Sequence, residues 1–179
     1  ALPSAERAWV IDPVDGTRNF SRGSADFAVM LAEVRRGETV RGWIWQPLHN
    51  RMYVAERGAG VTCNGEPVRR APCDRPMPLG ASYVPLLGED AARVAVRRSW
   101  GSCGIDYPNL IAGELDFLTY RSMFPWDHLP GGLMVAEFGG RVANEDGVDY
   151  HAGVIGRRLI AVIDPQIWTT VRDALDATH

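Results

Sequence analysis

The sequence contains no lysine, and all 19 basic residues among its 179 are arginines. This absence excludes a Walker A lysine, a Schiff-base lysine and a lysine general base. Basic charge is not in excess either, because 22 acidic residues give a formal net charge of -3. Binding to a nucleic-acid backbone depends on a surplus of basic residues, so nucleic acid is not expected as a main partner.

Cysteine is also scarce, with Cys63, Cys73 and Cys103 in no metal-ligand spacing. An odd, sparse set of cysteines fits a reducing cytoplasm better than a disulfide framework. No apolar run approaches the ~18 residues of a membrane span, and the first residues lack a signal-peptide pattern. We therefore expect a soluble, cytoplasmic protein without a membrane partner.

The first part of the chain reads as an antiparallel meander of strands. Residues 8–11 form a short apolar run that predicts a buried strand ending at the Asp12-Pro13 turn. Two β-rich runs, 27–34 and 39–46, are separated by a hairpin signal at 35–38, and 51–55 could add a further strand. Trp43 and Trp45 alternate in this pattern and indicate a core or a homodimer interface.

The proline-rich stretch 71–78 is the best candidate for a boundary. It divides the chain into a sheet subdomain, 1–75, and an α/β subdomain, 76–179. In the second part, the pattern predicts strands at 79–84, 115–120 and 158–163, and helices at 89–96, 107–112, 126–138 and 165–177. The chain as a whole is expected to be an α+β protein with mixed layers of helices and strands.

Residues 9–20 (WVIDPVDGTRNF) carry the most informative pattern. An apolar run delivers Asp12 and Asp15 to a turn, and Gly16-Thr17 follows where a helix could begin. Converging carboxylates repel each other unless a cation lies between them, and Mg²⁺ favours such hard oxygen ligands. Amides at Gly16 and Thr17 would form an anion site if they open a helix. A metal site beside an anion site indicates phosphoryl chemistry.

A simpler interpretation is that Asp12 and Asp15 only cap turns, because Asp-Pro and Asp-Gly pairs are common turn residues. For an isolated D-P-x-D-G pattern, the two interpretations would carry about equal weight. The whole string of residues 9–20 is much less expected by chance, and this favours the metal site.

Residues 125–132 (PWDHLPGG) form the second informative segment. Asp127 lies where a helix N-cap is expected, and capping alone is the more common role for such a residue. Together with the first motif, Asp127 becomes a third candidate metal ligand. Gly131 and Gly132 stand inside a helical pattern, where each costs about 1 kcal/mol relative to alanine. We therefore expect another backbone or a ligand to approach closely there.

Together, these segments resemble the inositol monophosphatase family of Mg²⁺-dependent, lithium-sensitive phosphatases. The resemblance rests on residues 12–20, on Trp126-Asp127 and on the downstream glycine pair 139–140, and it covers essentially the whole chain. It implies an α-β-α-β-α sandwich of the type shared with fructose-1,6-bisphosphatase. Members of this family carry a long segment before the first motif, with a metal-binding glutamate. The chain is therefore expected to be N-terminally incomplete.

The resemblance also assigns roles to individual residues. Asp12, Asp15 and Asp127 would bind Mg²⁺ through their side chains, and Val14 through its backbone carbonyl. The three aspartates and Thr17 would form the catalytic set. Substrate and phosphate would be held by Asp15, Gly16, Thr17, Ser102, Cys103 and Asp127.

The substrate within this class stays open. Inositol-specific members place a glutamate seven residues before the aspartate of the Trp-Asp pair, and this chain has Tyr120 there. The candidates are an inositol-1-phosphate-like sugar or polyol phosphate, fructose 1,6-bisphosphate, a nucleoside 3',5'-bisphosphate and histidinol phosphate. Arg18 and Arg121 flank the inferred site and could contact a second anionic group.

The leading hypothesis is hydrolysis of a small phosphate monoester by direct attack of a Mg²⁺-activated water, with two ions about 3.5–4 Å apart. Gly16 and Thr17 would hold the phosphate in line. The alternative from another class is a truncated, non-catalytic module that binds metal or phosphate. A structural calcium loop at residues 12–15 is disfavoured because the loop is short.

Overall fold

The structure, a computed structural model, describes residues 2–72 and 74–175. Cys73 and the predicted end of the last helix at Ala177 lie outside these ranges. The strands form two sheets, one with six strands and one with five. Helices pack between the two sheets and on the far side of the second one. This mixed layering of helices and strands confirms the predicted α+β class.

The first sheet is an antiparallel meander whose strands lie in sequence order, as predicted. Each strand pairs with the next, and the β2/β3 hairpin closes at the Arg35–Glu38 pair. The strands are β1 (Ala8–Asp15), β2 (Ala28–Arg35), β3 (Glu38–Gln46), β4 (Arg51–Glu56), β5 (Gly60–Cys63) and β6 (Glu66–Pro67).

The prediction of a buried first strand that ends at Asp12-Pro13 is wrong. Strand β1 continues to Asp15, with an irregularity in its pairing between Asp12 and Asp15. Pro13 is tolerated there because β1 is an edge strand. Trp9 and Ile11 are 51% and 58% exposed, because alternate residues of a strand face opposite sides of the sheet. Trp45 is 44% exposed as well, so it is not a core residue.

The second sheet has the strand order β10-β11-β9-β7-β8. Strand β7 is parallel to both its neighbours, and the other pairs are antiparallel. The strands are β7 (Leu79–Ser82), β8 (Ala95–Arg98), β9 (Phe117–Tyr120), β10 (Arg141–Asn144) and β11 (Leu159–Val162).

The helix predicted at 89–96 is wrong. A short 3-10 turn spans Glu89–Arg93, and the chain then enters β8. Val94, which joins the two, is extended and buried. Its β-branched side chain and that of Val96 favour a strand. The apolar-polar alternation in residues 89–96 is too short to distinguish the period of a helix from that of a strand.

Four α-helices complete the described part of the chain: α1 (Thr17–Ser21), α2 (Cys103–Ala112), α3 (Pro125–Glu137) and α4 (Trp168–Leu175). Helices α2 and α3 bury Tyr107, Leu110 and Met134 in one cluster with residues of both sheets. Helix α4 packs against the opposite face of the second sheet. The described layers are thus sheet, helices, sheet, helix. Among these residues, no helix covers the outer face of the first sheet, where the predicted sandwich has its first helical layer.

The predicted division at 75/76 stays a prediction. The first sheet ends at Pro67 and the second begins at Leu79, but α3 contacts strands of both sheets. Within the described ranges, no helix is long and apolar enough to cross a lipid bilayer.

Gly131 and Gly132 have different surroundings in α3. A methyl group on Gly131 would lie 2.2 Å from the ring of Tyr107, whereas one on Gly132 would meet nothing nearer than 4.0 Å. The close approach predicted from the two glycines is therefore found at Gly131, whereas Gly132 has open space around it.

Gly131→Ala is expected to lower the free energy of unfolding by about 2 kcal/mol, because overpacking against a buried ring outweighs the helix propensity of alanine. Gly132→Ala is expected to raise it by about 0.5–1 kcal/mol. Urea unfolding of the two matched variants checks this. Equal effects of the two changes would contradict it.

Candidate active site

The first motif folds at the irregular end of β1. Asp12 Oδ1 accepts a hydrogen bond of 2.9 Å from the backbone N–H of Val14, so Asp12 does cap a turn. Thr17 opens α1, and its hydroxyl donates to the carbonyl oxygen of Val14 at 2.9 Å. The predicted carbonyl ligand therefore already accepts one hydrogen bond, and a carbonyl oxygen has two lone pairs.

Asp15 is buried and joins the first motif to α2. Its Oδ2 accepts hydrogen bonds from the Ser102 hydroxyl and from the backbone N–H of Gly104, the latter at 2.7 Å. Burial raises the pKa of Asp15; the Ser102 and Gly104 hydrogen bonds oppose this shift, and the charge of Asp12 adds to it. Asp15 thus has a role beyond capping a turn.

Gly16 holds the left-handed conformation (φ 79°, ψ 35°) immediately before α1. A Cβ atom here would lie 2.9 Å from Cβ of Ser102. Both the backbone angles and the space therefore require glycine, and they bring the motif directly against the start of α2.

Asp127 is the third residue of α3 and not its N-cap, which is Phe124. The capping role is therefore wrong. Asp12, Asp15 and Asp127 each present a carboxylate oxygen, and these atoms all lie within 4.8 Å of one another. Burial first, and then the charges of Asp15 and Asp12, raise the pKa of Asp127 to about 7.

The three carboxylates fit a hard divalent cation. In the described part of the chain, no arginine forms an ion pair with any of them. Like charges that converge in a half-buried site raise one another's pKa unless a cation neutralises them. Carboxylate oxygens are the ligands that Mg²⁺ and Ca²⁺ prefer.

A cavity of about 400 Å³ opens beside the carboxylates. Its lining brings the predicted substrate residues Ser102 and Cys103 together with Asp15 and Asp127. Burial raises the pKa of the Cys103 thiol well above its ordinary value, so this cysteine stays protonated and is a poor nucleophile. The lining also includes Tyr83, Gly101, Tyr120, Arg121 and Ser122.

Tyr120 forms the aromatic wall of this cavity together with Tyr83. The rings of the two tyrosines stack with centroids 5.6 Å apart, and Tyr107 stacks on Tyr120 at 5.8 Å. Tyr120 is buried, and its hydroxyl has no hydrogen-bond partner among the described residues. Sequence reasoning missed Tyr83, which it placed inside the strand predicted at 79–84; the observed strand β7 ends at Ser82, so Tyr83 directly follows it.

His128 is adjacent to Asp127 in the sequence, but its contacts are structural. Its ring nitrogens lie 3.1 Å from the Tyr107 hydroxyl and 3.0 Å from the Ser122 carbonyl oxygen. Burial lowers the pKa of His128 to about 3. A neutral, fully engaged imidazole of this kind is not available as a general acid.

Asp106 is a buried carboxyl that the sequence analysis did not identify. It accepts hydrogen bonds from the Ser99 hydroxyl at 2.6 Å and from the backbone N–H of Trp100 at 3.1 Å. Burial raises its pKa to about 7. Asp106 thereby fixes the loop that leads to Gly101 and Ser102 at the cavity.

Comparison with known proteins identifies the family of the chain. The sequence model of the inositol monophosphatase family matches residues 1–170. The chain belongs to this family. Among inositol monophosphatase relatives, the fructose-1,6-bisphosphatase/inositol-1-monophosphatase of Thermotoga maritima is 34% identical over 82% of this chain and 60% of its own length. The inositol-1-monophosphatase of Mesorhizobium japonicum is 32% identical over 87% of this chain and 65% of its own length.

Solved structures of the inositol monophosphatase family support the fold. The inositol monophosphatase of Anabaena superimposes with a TM-score of 0.80 and 26% identity, over 96% of this chain and 72% of that one. The chain spans less than two thirds of the length of the two curated relatives.

Proposed function

We propose that the protein is a Mg²⁺-dependent phosphate monoester hydrolase that acts on a small sugar or polyol phosphate. The observation that carries this proposal is the convergence of Asp12, Asp15 and Asp127 beside a cavity, without an arginine partner in the described chain. The relatives' names, which include inositol-1-monophosphatase, support the same reaction class.

The side chains of Asp12, Asp15 and Asp127 would hold the cation, with the Val14 carbonyl as a further ligand. When bound, Mg²⁺ would supply activation of the attacking water and stabilisation of charge on the leaving oxygen. Carboxylate ligands and a site open to a cavity suit Mg²⁺, which keeps part of its coordination shell for water and substrate.

The chain's own residues would position the substrate. In this proposal Gly16 and Thr17 hold the phosphate at the start of α1, next to the carboxylates. Ser102 and Cys103 line the cavity where the alcohol part would lie. The unpaired Tyr120 hydroxyl, at the position of the inositol-binding glutamate, would exchange hydrogen bonds with a substrate hydroxyl.

A cytoplasmic location and a homodimer belong to the same proposal. Cys63 and Cys103 are free thiols, as expected in a reducing compartment. Trp9, Ile11 and Trp45 leave an apolar surface on the first sheet that a second copy could bury.

The test is phosphate release by the complete natural polypeptide, with and without Mg²⁺. The panel contains inositol 1-phosphate, fructose 1,6-bisphosphate, a nucleoside 3',5'-bisphosphate and histidinol phosphate. We expect release from at least one of them, and only with the cation. If Mg²⁺ binds but no substrate releases phosphate, the non-catalytic binding module is the better description.

A further inference from the structure

Asn19 does not line the cavity beside the carboxylates, but it joins two segments of the chain next to that cavity. Its side-chain nitrogen Nδ2 donates to the backbone carbonyl oxygens of Asp26 and Trp100, each at 2.7 Å. An amide nitrogen carries two hydrogens, so these two bonds use its full donor capacity. Trp100 is 81 residues away in sequence and belongs to the loop that leads into α2. Asn19 therefore ties α1 to this loop.

Trp100 is held at both of its backbone polar groups. Its N–H donates to Asp106 Oδ1 at 3.1 Å, and its carbonyl oxygen accepts the bond from Asn19. The Ser99 hydroxyl donates to Asp106 at 2.6 Å and accepts a bond of 2.9 Å from the Gly101 N–H. A Cβ atom at Gly101 would lie 3.4 Å from Nδ2 of Asn19, so the loop passes close to that amide. We call these five residues the Trp100 network.

The Trp100 network leads directly to the contact that orients Asp15. Ser102 follows Gly101, and its hydroxyl donates to Asp15 Oδ2, which also accepts the Gly104 N–H at 2.7 Å. Two donors on one oxygen restrict the rotation of the carboxylate. Asp15 is one of the three aspartates whose carboxylate oxygens lie within 4.8 Å of one another. The orientation of this candidate metal ligand therefore depends on where the loop places Ser102.

We propose that Asn19 is a positioning residue, which acts through the Trp100 network and Ser102 to orient the Asp15 carboxylate for cation binding. Partners that orient a metal ligand without touching the metal are typically worth about 10–100-fold in metal affinity or activity. This inference rests on the proposed function, because it takes Asp15 as a ligand of the cation. It adds a residue that belongs neither to the carboxylate cluster nor to the cavity lining.

The variants Asn19→Ala and Asn19→Asp test this role. Asn19→Ala removes both donors, whereas Asn19→Asp keeps the shape and places a carboxylate oxygen against two carbonyl oxygens. The measurement is the Mg²⁺ concentration that gives half-maximal phosphate release by the complete natural polypeptide. We expect this concentration to rise about tenfold in Asn19→Ala and further in Asn19→Asp.

Asn64→Asp is the matched control. Asn64 also donates its side-chain amide to a backbone carbonyl oxygen, that of Asn50 at 2.9 Å, in the turn between β5 and β6. A purely structural asparagine lowers the free energy of unfolding when it is changed, but it leaves the Mg²⁺ dependence of the folded enzyme unaltered. We expect this behaviour of Asn64→Asp. A Mg²⁺ dependence that Asn19→Ala shifts no more than Asn64→Asp does would overturn the proposal.

Hydrogen exchange of the metal-free chain separates this inference from the proposed function. Mass spectrometry of the peptides that contain Trp100 and Gly104 follows the backbone N–H groups that hold the loop and Asp15. Their exchange is expected to be about tenfold faster in Asn19→Ala and unchanged in Asn64→Asp. Unchanged exchange in Asn19→Ala would overturn the proposal, whatever the activity.

Faster exchange without phosphate release from any substrate would count against the phosphatase alone. Calorimetry with Mg²⁺ then measures the effect of Asn19 on cation affinity without a substrate. We expect Asn19→Ala to bind Mg²⁺ about tenfold more weakly than the wild type. Equal affinity would overturn the proposal.

Discussion

The change Asp127→Asn is expected to reduce Mg²⁺-dependent phosphate release at least about 10³-fold, because metal-ion catalysis supplies several kcal/mol of transition-state stabilisation. The carboxylate is one of three that converge within 4.8 Å. An amide keeps the shape but loses the charge that binds a hard cation. Phosphate release measured across a Mg²⁺ titration checks the result.

The same variant should be more stable than the wild type when both are unfolded in EDTA at pH 8. Burial and the neighbouring Asp15 and Asp12 raise the pKa of Asp127 to about 7, so ionisation above that pH opposes folding. Asp146→Asn, at an exposed carboxylate remote from the cavity lining, is the matched control and should change neither property. A variant with full activity but unchanged metal-free stability would contradict a metal role for Asp127.

The change Asp106→Asn is expected to make stability less sensitive to pH. Burial raises the pKa of Asp106 from the ordinary 3.8 to about 7, so the folded state favours the protonated acid. The contribution of that proton is fully present below pH 3.8 and is lost as the pH rises to about 7. The shift corresponds to about 4 kcal/mol in total, or about 1.4 kcal/mol per pH unit within the window.

Asparagine does not titrate, so the stability of Asp106→Asn relative to wild type should increase from pH 4 to pH 7 and stay level above. Its altered hydrogen bonds to Ser99 and Trp100 would add only a constant offset. Urea unfolding at pH 4, 5.5, 7 and 8.5 measures the difference, with the exposed Asp146→Asn as a flat reference. A difference that stays constant, or shrinks as the pH rises, would show that the Asp106 carboxyl is ionised in the folded protein at low pH.

The sequence predicted that Asp12 and Asp15 lie together at a turn because the residues that form this turn are local in the chain. Asp12, Asp15, Gly16 and Thr17 are adjacent in the chain, and the turn they form follows from their own backbone preferences. Asp127 could be added to the predicted metal ligands because a third carboxylate would complete such a set. The structure brings these carboxylates together, and their roles in binding and catalysis stay predictions.

The exposure of some side chains and the full set of residues at the cavity could not be predicted, because both depend on how the sheets and helices pack against one another. The exposure of Trp9 and Ile11 depends on what covers the outer face of the first sheet, and alternation alone does not distinguish that face from the core. Tyr83 and Asp106 come from a strand end and a helix interior and reach the site only through packing. Helix α2 begins four residues earlier than predicted. Ser102 is its N-cap residue, but the Ser102 hydroxyl makes no capping hydrogen bond and donates to Asp15 instead.

The double hydrogen bond at Asp15 has a consequence for how this protein could evolve. Ser102 and Gly104 are 87 and 89 residues away in sequence, yet both hold the same carboxylate oxygen. The first motif and the start of α2 are therefore not expected to behave as exchangeable modules. A chimera that joined the first half of this chain to the second half of a relative would keep both sequence motifs, residues 9–20 and the Trp-Asp segment. It would keep the site only if the new partner placed a donor against Asp15 with the same register.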